Sequence, residues 1–148
     1  MRAGSVSASS GGDGRDGRYD GIRDVVEVRM PADSAYLSVL RTATAGLAAR
    51  VDFTLDEIED LRIAVDEACA ILLTNAAPDV DLECEFELHP DEIRVSVTVP
   101  TLDGAQPTRD SFAWTVLAAL AGSVESRVDD DKRVSIDLQK RRAAAEDA

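Results

Sequence analysis

Residues 62–76, Arg62-Ile63-Ala64-Val65-Asp66-Glu67-Ala68-Cys69-Ala70-Ile71-Leu72-Leu73-Thr74-Asn75-Ala76, read as the main part of a long helix. Its start is written at Thr54 and Glu57 as a capping box. The Thr54 hydroxyl accepts from the backbone N–H at 57, and the Glu57 carboxylate reaches back. A core stripe runs through Ile58, Leu61, Val65, Cys69 (or Ala68), Leu72 and Ala76, at spacings of three and four. The only acids between Ile63 and Ala77 are Asp66 and Glu67. Asp66 has a ready partner one turn back in Arg62. Glu67 has Ile63 and Ile71 at four residues either way, so it stands on an apolar flank. An acid so placed loses solvation, which suits it to take up or hold a proton. The other reading is that Glu67 lies at the edge of the buried stripe and reaches out to water.

Outward from this helix the chain organises itself. Val80, Leu82, Cys84, Phe86 and Leu88 alternate with Asp81, Glu83, Glu85 and Glu87, a strand with one buried and one acidic face. The turn His89-Pro90-Asp91-Glu92 leads back through Ile93, Val95, Val97 and Val99, which makes an antiparallel hairpin. The acidic face reads as the solvated side of an edge hairpin. Before the long helix come a strand, Val25 to Met30, and a first helix from about Asp33 to Arg50, with stripe Leu37, Leu40, Ala43 or Thr44, Leu47 and Ala48. The long helix itself runs from Leu55 to about Ala76, stopped by Pro78.

After the hairpin, residues 100–110 form an irregular loop. A third helix opens at Ser111, buries Phe112, Val116, Leu117 and Leu120, and ends at Gly122. Two strands follow, Val124 to Val128 and Val134 to Leu138. The order β-α-α-β-β-loop-α-β-β predicts an α+β two-layer sandwich, one sheet with three helices on one face. Residues 1–22 are Gly, Ser, Asp and Arg with almost nothing to bury, and read as a disordered N-terminal tail; 23–140 read as one domain and 141–148 as a C-terminal tail.

The totals agree with a single domain of 148 residues, 45% hydrophobic and 30% charged. A net charge of −13 argues against nucleic acid as a direct ligand, because phosphate binding needs a basic face. It favours a cationic partner surface, or simply solubility. No run approaches the roughly 20 apolar residues of a membrane span, and no secretory signal is visible. Cys69 and Cys84 fall at core-facing positions and read as buried free thiols, from which a cytoplasmic location follows. With His89 as the single histidine, no His-based metal site or Ser-His arrangement can be built. Trp114 reads as a core plug, or as the wall of a pocket.

The element order, together with DLRIAVDEACAILLTNA at 60–76 and SFAWTVLAALAGSVES at 111–126, resembles the anti-sigma-factor serine kinases of the RsbW type, in their actinobacterial, UsfX-like branch. These belong to the GHKL ATPase superfamily, so the resemblance implies a Bergerat-like, histidine-kinase-like ATPase domain over residues 24–140. It implies a protein that keeps an alternative sigma factor from RNA polymerase and is released by a STAS-domain anti-anti-sigma factor. It also implies ATP and Mg²⁺ as cofactors for phosphorylating a serine of that antagonist, with Glu67 as general base. Arg41 falls where the family's helix-one arginine contacts both partners. Relatives are commonly dimers, so a homodimer is implied as well.

The nucleotide segments depart from the family pattern. The Mg²⁺-holding asparagine belongs one turn after Glu67, where this chain has Ile71; Asn75 comes a further turn on. The adenine-reading Asp-x-Gly-x-Gly segment is represented by Asp103-Gly104-Ala105 alone. Ser111 and Ala113 replace the glycines before the third helix, where a Cβ obstructs close approach of backbone to phosphate. Isoleucine is no ligand for a cation that wants oxygen. The leading expectation is therefore an anti-sigma factor with a degenerate nucleotide site, marked by Asn75, Asp103, Gly104 and Ser111. The alternative is an active ATP-dependent serine/threonine kinase acting on the antagonist. A third reading is a ligand sensor that kept the fold and lost both partners.

Overall fold

The computed structural model describes residues 4–10 and 24–143. In chain order these form β1 (Ser5–Ser10), β2 (Asp24–Pro31), α1 (Leu37–Arg50), α2 (Leu55–Leu73), β3 (Asp81–Leu88), β4 (Glu92–Pro100), α3 (Phe112–Leu120), β5 (Ser123–Val128) and β6 (Arg133–Arg141). A short 3-10 turn at Ser34–Tyr36, capped by Asp33, leads into α1. The strands make one six-stranded antiparallel sheet in the order β1-β2-β3-β4-β6-β5.

Strict alternation places one side chain in two on the helix-covered face of the sheet. In register across it lie Val28, Cys84, Val97 and Ile136, all buried. Leu82, Phe86, Leu88, Ile93, Val95, Val99, Val134 and Leu138 fill the same layer. The central helix α2 contacts both other helices as well as β4 and β6. It buries Leu61, Ala64, Val65, Ala68, Cys69 and Leu72, the stripe read from the sequence. The capping box is present in full: Glu57 N–H donates to Thr54 Oγ1 at 3.2 Å and Thr54 N–H to Glu57 Oε1 at 2.8 Å. On α1 the buried positions are Leu37, Leu40, Thr44 and Ala48.

Several expectations need correction. The serine-rich segment Ser5–Ser10, expected within a disordered tail, pairs with β2 as an edge strand. Main-chain hydrogen bonds suffice for this, and Val6 stays 65% exposed, so composition carries no sign of it. The rest of that expected tail, 1–3 and 11–22, lies outside the described residues, as does 144–148. The C-terminal tail begins later than residue 141, since the Ala143 N–H donates to Glu57 Oε2 at 2.6 Å. The β3–β4 hairpin is central rather than an edge, because β2 flanks it on one side and β6 on the other. Helix α2 ends at Leu73, and Ala76 forms an isolated bridge to Thr101 instead of a last helical turn. Phe112 is 83% exposed; the Ser111 cap sets the α3 frame so that Trp114 and Leu117 face inward.

Candidate functional site

Three elements meet at the C-terminal end of α2: that helix end, the loop of residues 101–111 and the start of α3. Between them is a cleft of about 370 Å³ lined in part by Ile71, Asn75, Thr101, Gln106, Thr108 and Ser111. Its other lining residues, Leu72, Thr74, Ala105, Pro107 and Val134, are also uncharged, so the wall carries no ionisable side chain.

Thr101 organises the loop. Buried at the end of β4, its N–H and hydroxyl both donate to the Lys132 carbonyl, at 3.1 and 2.7 Å. Its oxygen accepts from the Gly104 N–H at 2.8 Å. Gly104 sits at φ +70°, in the left-handed region where a glycine is unstrained. Asp103, beside it, accepts from the Ala105 N–H at 3.0 Å and from Asn75 Nδ2 at 2.9 Å. Those hydrogen bonds, the backbone one first, hold its carboxyl below the ordinary range. Gln106 Oε1 accepts from the Ser126 hydroxyl at 2.7 Å, which ties the middle of the loop to β5. Ser111 caps α3 by accepting from the Trp114 N–H at 3.1 Å and donates to the Thr108 carbonyl, also at 3.1 Å.

The residues marked in the sequence thus come together in part. Asn75 and Ser111 line the cleft, and Asp103 and Gly104 stand in its loop. Glu67 is half-buried and lies one turn before Ile71 outside the cleft lining, and its side chain makes no hydrogen bond or ion pair with another described residue. Arg41 is elsewhere, on an open groove of about 660 Å³ shared with Ser38, Thr42, Ala45, Gly46 and Arg62. It is not a solitary surface arginine: its Nε donates to Asp66 Oδ2 at 2.7 Å. The expected Asp66–Arg62 pair is absent because Arg62 bonds Glu59 instead. Trp114 is a core plug, 7% exposed, with the Arg109 guanidinium stacked 5.5 Å from its ring centre.

The lining of this cleft matches magnesium nucleotide poorly, since it carries no cation and no carboxylate. No cation lines the cleft: Arg109 lies over Trp114 and Lys132 Nζ reaches the Leu102 carbonyl at 3.4 Å. Magnesium needs hard oxygen ligands, and α2 presents Ile71. Asn75 directs its amide nitrogen to Asp103. Among the described residues no three His, Cys, Asp or Glu side chains are grouped to hold a metal ion. Sequence reasoning missed Thr101, Gln106 and the Arg41–Asp66 pair; only Thr101, directly after the strand-ending Pro100, carried a local signal.

The curated relatives agree on one family. The anti-sigma-F factor RsbW of Mycobacterium tuberculosis (strain ATCC 25618 / H37Rv) is 38% identical over 112 residues, 74% of this chain. The chain belongs to the RsbW family. It spans 65% of the mycobacterial RsbW. The serine-protein kinase RsbW of Bacillus subtilis (strain 168) is 35% identical over 77 residues, 50% of this chain and 48% of that protein. That of Halalkalibacterium halodurans is 29% identical over 102 residues, 59% of this chain and 63% of that protein. No family model matches the chain. No helix among the described residues is long and apolar enough to cross a membrane.

Proposed function

We propose that this RsbW-family chain is an anti-sigma factor: it sequesters an alternative sigma factor of the stress or sporulation type and yields it to a STAS-domain anti-anti-sigma factor. The observation that carries this reading is the charge and shape of α1. In a chain of net charge −13, the fourteen residues Leu37–Arg50 contain two arginines, Arg41 and Arg50, and no acid. Around Arg41 the outward residues Ser38, Val39, Thr42 and Gly46 are small or aliphatic and exposed, a surface that another helix can approach closely. Arginine in such a setting takes a partner carboxylate in two hydrogen bonds and is frequently the energetic centre of an interface.

The same reading places the domain in the Bergerat-like GHKL fold, a two-layer sandwich, with the working unit a homodimer. A kinase acting on the antagonist, with Glu67 as general base, would need nucleotide in a cleft whose lining carries neither a cation nor a carboxylate. No step of the proposed function passes through ATP. The test is co-purification of the tagged chain from its own host, with mass spectrometry of what it retains. A sigma factor is expected, lost at least tenfold in affinity for Arg41→Glu. Retention of no sigma factor, or an unchanged Kd in the variant, contradicts the reading.

A further inference from the structure

Arg41 is held by one edge only. Its Nε donates to Asp66 Oδ2, while among the described residues neither Nη atom donates to anything. The side chain is 42% exposed and Asp66 30% exposed, so the pair sits at the rim of the α1–α2 groove rather than beneath it. Asp66 is in turn left to Arg41 alone. The cation one turn back on α2, Arg62, is engaged by Glu59.

We infer that Asp66 is a positioning residue for Arg41: it fixes the guanidinium by its Nε edge and leaves the Nη edge free for a partner's carboxylate. This deepens the reading above and rests on it. A long, flexible cation ordered before encounter loses less freedom on binding. The contact also links α1, which would carry the interface, to α2 at the residue next to Glu67.

The two possible roles of Asp66 predict opposite signs. As a competing anion it would weaken Arg41's pull on a carboxylate, and its removal would tighten binding. As a positioning group its removal weakens binding. The probe is the purified sigma factor recovered by co-purification, titrated against the full chain and four variants: Asp66→Asn, Asp66→Glu, Arg41→Ala and the Arg41→Ala/Asp66→Asn double. The expected result is a loss of about three- to tenfold for Asp66→Asn, from the freedom restored to one long side chain. Asp66→Glu, which keeps the carboxylate, recovers part of that loss. In the Arg41→Ala background Asp66→Asn has no further effect, which a merely structural role would not produce. The Arg41 Nε–H signal is expected to be slowed in exchange in the parent chain and faster in Asp66→Asn. Unchanged or tighter binding by Asp66→Asn while Arg41→Ala still weakens it overturns the positioning role and leaves the interface standing. No effect of Arg41→Ala overturns the interface itself.

Discussion

Asn75 Nδ2 donates to Asp103 Oδ1 across 2.9 Å, so two residues that the sequence marks as nucleotide contacts are each other's partners. Through that bond the end of α2 holds the loop of residues 101–111 as a strap. Thr101 fastens the same loop to Lys132, in the turn before β6, and Gln106 fastens it to β5.

Breaking the strap has a local consequence. In Asn75→Ala, hydrogen exchange at the Ala105 amide, which donates to the same Asp103 oxygen, speeds up severalfold, while the buried β4 amides near Val97 keep their protection. Exchange mass spectrometry or NMR reads this directly. Equal protection of the loop in both proteins would show that the bond does not hold it.

Much of the fold was legible because its signals are local. Thr54 and Glu57 lie three apart and the apolar residues of β3 and β4 alternate, so a capping box and a hairpin need no distant information. What lay beyond reach depends on contacts far apart in sequence. Whether the hairpin is an edge is decided by β2 and β6, which pair with its two outer sides. Asp66 had Arg62 in the right place for a same-helix pair, but Glu59 takes Arg62 and Arg41 crosses from α1. Within the candidate site the positions were readable, and their mutual engagement was not: nothing local says that Asn75 will spend its amide on Asp103.

Acid should loosen the far end of the hairpin. Glu92 is 4% exposed and accepts from Arg94 Nε at 2.6 Å and from Gln139 Nε2 at 3.0 Å. Burial alone would raise its carboxyl, but those hydrogen bonds and the charges of Arg94 and Arg141 outweigh it and hold the pKa below the ordinary 4.5. A lowered folded pKa means that the stabilisation is whole above the unfolded value and is lost as pH falls through the folded one. Glu92→Gln should therefore cost about 1–2 kcal/mol at pH 7 and progressively less below pH 4.5. Denaturant melts of the two proteins at both pH values measure the difference; a gap independent of pH would contradict it.

The two thiols are expected to be inert in the native state. Burial, with the nearby Asp66 charge, pushes Cys69 up to about 12, and burial pushes Cys84 well above its ordinary value. Neither is in a disulfide. The thiolate is the reactive form, so a thiol reagent at pH 8 should label neither until denaturant is added. Rapid native labelling of either would mean that the layer between α2 and the sheet opens readily.

On the function proposed above, this chain grips a sigma factor without help from nucleotide. Isothermal titration of the full chain with its purified sigma factor, in buffer alone and with saturating ATP and magnesium, tests it most directly. The same Kd is expected under both conditions, with no heat from ATP and magnesium added to the chain by themselves. Micromolar, chelator-sensitive ATP binding, or a sigma-factor affinity that changes tenfold when nucleotide is present, would contradict it.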